Sequence, residues 1–129
     1  MTLFQGGQRE VGTCLSLLAR SSIGRVGVVI GPLPFVYPVR YDMRDGHILF
    51  GLSIDQVATA IDDAVVALQA DGFDEDHGCQ WTVLAIGPAT TVEPTSEGVP
   101  RHFPPERHTF RLRPKMISGH WLDQAGDDS

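Results

Sequence analysis

The feature that most constrains this chain is a pair of β-rich segments joined by a short polar turn. The segments are residues 35–41 and 47–52, and both are rich in β-branched and aromatic side chains, which favour strands. Asp45-Gly46 lies between them, and this dipeptide supplies the positive φ angles of a tight hairpin turn. The stretch therefore predicts a β-hairpin. Pro38 has no N–H for a ladder, so we expect it at a sheet edge, at a bulge, or where the strand faces something other than another strand.

A helix start is predicted directly behind the hairpin. Ser53 followed three residues later by Gln56 is the capping-box pattern, and the next apolar residues fit a short helix over 54–61. The unpaired N–H groups of a first helical turn carry partial positive charge and favour an anion. The end of the hairpin and the beginning of this helix are therefore a candidate corner for binding a negatively charged group.

The other segments predict mostly strands. Apolar spacing predicts a helix over 10–20, and strands are predicted over 23–30, 64–70, 79–92, 107–113 and 116–122. The acidic stretch 71–78 and the proline-rich stretch 93–106 are predicted loops, and the ends 1–8 and 123–129 are expected to be flexible. Strands do not alternate with long helices, which argues against a doubly wound sheet. We expect one domain over 1–129, mainly β, in which six or seven strands form a small closed barrel or a split β-barrel with short helices.

Charge and composition exclude several classes of function. The 129 residues carry a net charge of -6 and a single lysine, Lys115, which argues against a nucleic-acid surface. Neither an apolar run of membrane-spanning length nor a signal peptide is visible, so we expect no membrane partner and a cytoplasmic protein. Cys14 and Cys79 are then expected to be reduced thiols, and no residue spacing indicates a metal site.

Five stretches spread over residues 10–120 carry a pattern whose order and spacing are typical of one family. They are Cys14-Leu15-Ser16-Leu17-Leu18-Ala19 with Gly24-Arg25-Val26, Pro38-Val39-Arg40-Tyr41, Gly46-His47-Ile48-Leu49-Phe50, Trp81-Thr82-Val83 with Gly87-Pro88-Ala89, and Arg111-Leu112-Arg113-Pro114 with Ile117-Ser118-Gly119. Together they resemble the FMN-binding split-barrel proteins of the pyridoxamine 5'-phosphate oxidase-like superfamily, in particular its small actinobacterial branch. The resemblance implies a homodimer of split barrels with flavin sites in the clefts between the subunits.

The resemblance also implies which residues hold the cofactor, which would be FMN or, as an alternative, the deazaflavin F420. The phosphate would lie near the end of the second hairpin strand and the beginning of the next helix, and the ring would lie along the first hairpin strand. Trp81 and Thr82 would act across the dimer. The candidate cofactor-binding residues are Pro38, Val39, Arg40, Phe50, Gly51, Leu52, Ser53, Gln56, Trp81 and Thr82.

The sequence departs from the family pattern at the expected phosphate site. Gln56 stands where the family has a lysine, and the carboxylate of Asp55 lies beside it. Arg25 and Arg40 are the cations that could compensate. Two functions stay open: a flavin- or deazaflavin-dependent oxidoreductase acting on a small organic substrate, and a split-barrel binding protein that has lost flavin binding and holds another small-molecule ligand or none.

Several candidates also have purely structural explanations. Ser53 could serve only as a helix cap, Arg40 could be an exposed strand arginine, and Trp81 could be a core or interface aromatic. The five histidines share no ligand spacing, although His102 and His108 flank the proline-rich loop and could line a cleft. No catalytic residue is assigned from the sequence, because no nucleophile, base or carboxylate pair is recognisable.

Overall fold

The structure is a computed structural model, and it describes residues 2–5, 8–76, 78–93 and 108–122. Within these ranges the chain is mainly β, with two short helices. The elements in chain order are β1 (Thr2–Gln5), α1 (Gln8–Leu18), β2 (Ile23–Ile30), β3 (Leu33–Arg44), β4 (His47–Leu52), α2 (Asp55–Ile61), β5 (Val65–Asp74), β6 (Cys79–Val92), β7 (His108–Leu112) and β8 (Met116–Leu122).

Six strands form an antiparallel barrel. Their hydrogen-bonded order is β6-β5-β2-β3-β4-β7, and β7 pairs back with β6 to close the ring. Strand β8 pairs with β6 outside this ring, and β1 pairs with β8. The predicted mainly β barrel with short helices is therefore confirmed. Strand β1 lies within residues 1–8, which were expected to be flexible, and it forms only through its pairing with β8, more than a hundred residues away.

The predicted hairpin is confirmed together with its turn. Strands β3 and β4 pair from Arg44–His47 to Tyr41–Phe50, and the turn residues Asp45 and Gly46 have φ angles of 52° and 80°. Positive φ at both central residues matches the twist of the flanking strands. The hairpin is longer than expected, because β3 begins at Leu33 and first pairs with β2.

Strand β6 spans the predicted residues 79–92 and serves two parts of the barrel. Its first part pairs with β5, and residues 89–92 pair with β7. The change of partner occurs at Gly87-Pro88, where a Cβ on Gly87 would collide with the carbonyl oxygen of Arg113. Only glycine lets the two backbones approach this closely, so the change of partner at this point depends on Gly87.

Helix α1 begins and ends two residues earlier than predicted, and the loop predicted over 71–78 is wrong in its first half. Strand β5 continues to Asp74, whereas residues 71–78 were predicted to form a loop. Residues 71–74 pair with residues 79–82 of β6, and this pairing outweighs their acidic character. Asp74 is buried, accepts a hydrogen bond from the Asp76 N–H at 2.9 Å and lies 3.7 Å from Arg20. The buried carboxylate is therefore hydrogen-bonded and paired with a cation, as burial of a charge requires.

The core fills the inside of the barrel, and both helices contribute to it. Cys14, Leu17 and Leu18 of α1 and Val57 and Ile61 of α2 are buried in the same apolar cluster as the inward strand residues. Among the described helices, none is both long and apolar enough to cross a membrane. The predicted tail 123–129 and nearly all of the proline-rich loop lie outside the described residues.

Candidate functional site

The candidate site begins where β3 and β4 separate. Their ladder ends at Tyr41–Phe50; beyond it β4 pairs with β7 as far as Leu52–His108, while β3 stays paired with β2. The divergence leaves a cleft of about 430 Å³ between the two strands, which we call the fork cleft. It is lined by Ile23, Tyr37, Pro38, Val39, Arg40, Gly51, Leu52, Ser53 and Ile54.

The backbone of β3 presents an edge beside this cleft. The Tyr41 N–H donates to the Ser22 carbonyl at 2.9 Å, and antiparallel alternation then turns the backbone groups of even-numbered β3 residues away from β2. Pro34 and Pro38 occupy such positions and need no partner for an N–H, which confirms that Pro38 lies on an edge. Arg40 occupies another of these even-numbered positions, so its main-chain N–H points away from β2 and can donate a hydrogen bond on the side of the fork cleft.

Arg40 also supplies the charge of the fork cleft. It is exposed, and it is the single charged residue among the described residues that line the cleft. The other lining side chains are apolar or aromatic except the Ser53 hydroxyl. The cleft therefore suits a ligand with a largely apolar body and an anionic or carbonyl-bearing end.

The predicted capping box is wrong. Helix α2 begins at Asp55, its N-cap is Ile54 with an extended backbone (φ -99°, ψ 108°), and no side chain caps it. Ser53 lies one residue before the N-cap, so the pattern is out of phase with the helix that forms. Gln56 is exposed and does not line the fork cleft. The predicted anion corner thus has no capped helix, and Ser53 contributes to it as a lining residue.

A pair that sequence reasoning missed joins Asp55 to His108. The Asp55 Oδ1 and His108 Nε2 atoms are 2.8 Å apart. Because β4 lies between β3 and β7, this contact is on the opposite side of β4 from the fork cleft. The carboxylate expected beside the phosphate is therefore held by His108. The two residues are 53 positions apart, so no local pattern could have paired them.

Three other predicted site residues lie elsewhere. Phe50 and Trp81 are buried in the core, where Phe50 stacks on Phe110 with ring centroids 5.4 Å apart. Thr82 points to the opposite face of β6 from Trp81 and lines a second pocket. The structure therefore brings together six of the ten predicted residues and separates four. The six are Pro38, Val39, Arg40, Gly51, Leu52 and Ser53, and the four are Phe50, Gln56, Trp81 and Thr82.

The second pocket lies on the outside of β2, β3, β5, β6 and β8, a surface we call the outer face. This outer-face pocket measures about 380 Å³ and is lined by Arg25, Gly27, Val36, Ala67, Gln69, Thr82, Leu84, Ser118 and His120. It adjoins the fork cleft, because Ile23 and Arg25 in β2, like Pro38 and Val36 in β3, are two residues apart on the same face. Two residues span about 6.6 Å along a strand.

The outer face carries most of the exposed apolar surface of the described residues. Strand register places seven large exposed side chains on it, with exposed fractions from 36% to 67%: Ile23, Val29, Val36, Val65, Phe73, Leu84 and Met116. Exposed apolar side chains gathered on one face mark an interaction site more often than single scattered ones.

Residues 10–120 match the family model described as pyridoxamine 5'-phosphate oxidase, which covers most of the chain. The chain belongs to the pyridoxamine 5'-phosphate oxidase family. The resemblance found in the sequence is thereby confirmed at the level of the family. A comparison with curated proteins found no match.

Solved structures share the fold of this family member at low sequence identity. An FAD-binding protein from Mycobacterium smegmatis is 21% identical, with a TM-score of 0.70, covering 95% of this chain and 100% of that one. An FAD-binding protein from Mesorhizobium loti is 15% identical, with a TM-score of 0.71 and coverages of 95% and 100%. A conserved protein of unknown function from Corynebacterium diphtheriae is 20% identical, with a TM-score of 0.68 and coverages of 93% and 98%. Membership of a small actinobacterial branch stays a prediction.

The residues of the fork cleft fit a flavin. A volume of about 430 Å³ lies within the usual range for small-molecule sites. A flavin needs apolar walls for its ring, donors for its ring carbonyls and a counter-charge for its phosphate. The cleft provides apolar walls, the Arg40 N–H and the Arg40 guanidinium. Among the described residues no three His, Cys, Asp or Glu side chains cluster as a metal site would need.

Proposed function

We propose that this protein is a flavin-dependent oxidoreductase that acts on a small organic substrate, with the flavin held in the fork cleft. The observation that carries the proposal is the convergence of six predicted cofactor-binding residues on one cleft in a chain of this family. A bound flavin supplies the hydride or electron transfer, and the protein supplies position and polarity. FMN and the deazaflavin remain our predicted cofactors, and FAD joins them because similar structures are described as FAD-binding.

Three lining residues and one residue behind the cleft have roles in this proposal. Pro38 and Val39 lie along the flavin ring, and the Arg40 N–H donates to a ring carbonyl. The Arg40 guanidinium binds the phosphate or a ring carbonyl in place of the missing lysine, because it is the cation that the cleft offers. Phe50 contributes from beneath, as its stacking on Phe110 stiffens β4 behind the cleft.

The test is a titration of cofactor-stripped protein with FMN, FAD and the deazaflavin, followed by cofactor fluorescence. We expect saturable binding of at least one of them. Arg40→Ala should weaken that binding by about 1.5–3 kcal/mol, roughly tenfold to a hundredfold in Kd, because a charge-assisted hydrogen bond is lost. Arg44→Ala is the matched control: Arg44 is exposed on the same strand but pairs with His47 outside the cleft, so binding should not change.

The outcomes distinguish an error about the role of Arg40 from an error about the proposed function. An unchanged Kd in Arg40→Ala would remove Arg40 from the site while leaving the flavin in place. Failure of all three cofactors to bind would overturn the proposed function. That failure would favour the alternative, a split-barrel binding protein that has lost flavin and holds another ligand or none.

We further propose that two copies of the chain associate through the outer face. The support is the apolar surface gathered there and its continuity with the fork cleft, since Ile23, Pro38 and Arg40 share this face. A second copy would bury the exposed apolar side chains and cover the cleft, which makes the site drier and strengthens its polar contacts.

Sedimentation at micromolar concentration tests the homodimer. We expect a dimer mass for the wild type and a monomer mass for Val65→Asp, which places a charge on the outer face where Val65 is 67% exposed. Leu33→Asp is the control. Leu33 is similarly exposed, at 58%, but the β3 side chains on the outer face are those of even-numbered residues, so Leu33 does not belong to it. A monomer mass for the wild type would contradict the proposal.

A further inference from the structure

One residue, His108, contacts both ends of the connection that leads from β4 into α2. Its backbone pairs with Leu52, the last residue of β4, and its Nε2 atom lies 2.8 Å from the Oδ1 atom of Asp55, the first residue of α2. An ionised carboxylate only accepts hydrogen bonds, so Nε2 carries the hydrogen that is donated. Between these two contacts, Ser53 and Ile54 line the fork cleft. The direction of the Asp55 carboxylate is therefore fixed at the point where the chain leaves the cleft.

The imidazole is the better-fixed member of this pair. His108 is the first residue of β7, and its ring centroid lies 6.5 Å from that of Phe110. Phe110 is buried and stacks on Phe50 in the core. The His108 side chain is 33% exposed, whereas that of Asp55 is 59% exposed. The histidine, backed by the core, thus positions the carboxylate rather than the reverse.

This pair matters more for charge than for stability. An exposed pair of this kind contributes little to the free energy of unfolding, because water competes for both partners. Asp55 follows Ile54 directly, and consecutive Cα atoms are about 3.8 Å apart. Arg40 is the single charged residue among the described residues that line the fork cleft. A carboxylate turned towards the cleft would therefore repel a bound anion and compete with it for the one cation.

We propose that His108 is a positioning residue for anion binding in the fork cleft. By holding the Asp55 carboxylate on the other side of β4, it leaves Arg40 to the anion. The inference rests on the proposed function for the identity of that anion, which is the phosphate of a flavin nucleotide. It also explains how the chain accommodates an acidic residue next to Gln56, the position that departs from the family pattern.

Titration with FMN and with riboflavin, which lacks the phosphate, tests the proposal in four cofactor-stripped proteins. They are the wild type, His108→Phe, Asp55→Asn and the double variant. His108→Phe keeps a ring beside Phe110 and removes the donor. Its Kd for FMN should rise about fivefold or more and its Kd for riboflavin by less than about twofold, because only the phosphate is repelled. Adding Asp55→Asn to His108→Phe should restore the wild-type Kd for FMN.

Two further variants distinguish the lost donor from a change of shape. His108→Gln keeps an N–H donor at the end of its side chain, so its Kd for FMN should stay within about twofold of the wild-type value. His47→Phe is the matched control, because His47 pairs with Arg44 at the other end of β4, outside the cleft, and both Kd values should stay unchanged. Equal losses of FMN and riboflavin binding in His108→Phe would show a purely structural role and overturn the proposal. Failure of Asp55→Asn to restore FMN binding would overturn it as well.

The outcomes keep this inference apart from the proposed function. If flavins bind and His108→Phe leaves the Kd for FMN unchanged, the flavin site stands and the role of His108 is wrong. If no flavin binds, inorganic phosphate at constant ionic strength becomes the probe, because an anion that binds the folded state raises its thermal midpoint. A rise in the wild type that is lost in His108→Phe and regained in the double variant would support the role of His108, while the oxidoreductase function fails. No effect of phosphate on the wild type would then overturn both.

Discussion

Glycines on the two faces of the same strands show what each face requires. The inner face is the side of these strands that points into the barrel. There, a Cβ at Gly24 would lie 2.7 Å from the Gln69 carbonyl oxygen, and one at Gly72 would lie 2.6 Å from the Trp81 ring. A Cβ at Gly87 would overlap the Arg113 carbonyl. On the outer face, Gly27 has room for a side chain. Inner-face glycines are there because neighbours come close, and the outer-face glycine keeps a surface open.

The same contrast extends to the other side chains. Inward residues of β2, β5 and β6, such as Val26, Leu68 and Val83, are fully buried, whereas outward residues such as Val29 and Val65 are more than 60% exposed. Because side chains inside a protein are closely packed, a change in the volume of one of them lowers the stability of the fold. Apolar surface left in water is explained by what binds to it. Inner-face residues therefore determine stability, and outer-face residues are candidates for binding.

The largest effect should come from Gly87→Ala on the inner face. We expect the free energy of unfolding to fall by about 3 kcal/mol or more, because the new methyl group collides with backbone rather than with a movable side chain. That backbone is held on both sides, by the Arg113 N–H to the Pro88 carbonyl at 3.0 Å and the Lys115 N–H to the Ile86 carbonyl at 2.7 Å. Urea unfolding measures the change.

Gly27→Ala is the matched substitution on the outer face. Alanine there should leave stability unchanged or raise it by about 0.5–1 kcal/mol, because glycine loses more backbone entropy on folding. Equal destabilisation by Gly27→Ala and Gly87→Ala would erase the distinction between the two faces.

Tyr41 tests the inner face with a polar group and a smaller effect. Its side chain is buried, and its hydroxyl donates to the Leu18 carbonyl at 2.6 Å, which ties β3 to the end of α1. Tyr41→Phe should lower the free energy of unfolding at neutral pH by about 1–2 kcal/mol, because the carbonyl loses its partner. Loss of much less than this would indicate that solvent already reaches the hydroxyl.

The same residue makes stability depend on pH in the alkaline range. Burial raises the pKa of Tyr41 from 10.0 to about 12 in the folded protein. The folded state then holds the phenolic proton more tightly than the unfolded state. The contribution of this proton to the free energy of unfolding is complete below pH 10 and is lost as the pH rises towards 12.

The full contribution amounts to about 2–3 kcal/mol. Unfolding measured at pH 9 to 12 should therefore show a shallower decline in Tyr41→Phe than in the wild type. Burial also raises the pKa of Cys14, from 9.0 to about 11. This shift adds to the loss of stability at alkaline pH in the wild type and in Tyr41→Phe alike. The difference between wild type and Tyr41→Phe isolates Tyr41. Identical declines in the two proteins would contradict the assignment.

Most of the barrel wall could be predicted from local pattern. Strands over residues 23–30, 79–92 and 116–122 and the Asp45-Gly46 turn follow from alternation and turn chemistry, which act between residues close in sequence. Strand β1 and the end of β5 could not be predicted, since each depends on a partner strand. The capping box failed because a correct pattern was offset by one residue from the true helix start.

The candidate site residues also divide into those that the sequence could group and those that it could not. Six candidates lie in residues 38–40 and 51–53. The family resemblance grouped them, and they meet in the structure because they belong to the two sides of one hairpin. Trp81 and Thr82 could not be sorted, since a shift of one residue along a strand exchanges the faces. Register decided that Trp81 belongs to the core and Thr82 to the outer-face pocket. Contact between Asp55 and His108 likewise required β4 and β7 to pair.

By itself, the sequence determined most of the strands, the hairpin turn and the family, because these depend on local periodicity and on motifs in a given order. Only the tertiary structure decided where β3 leaves β4, which face each β6 residue occupies, and that Gly27 lies over an open pocket. The physical reason is that clefts form between strands distant in sequence, and their shape depends on register and on where pairing ends.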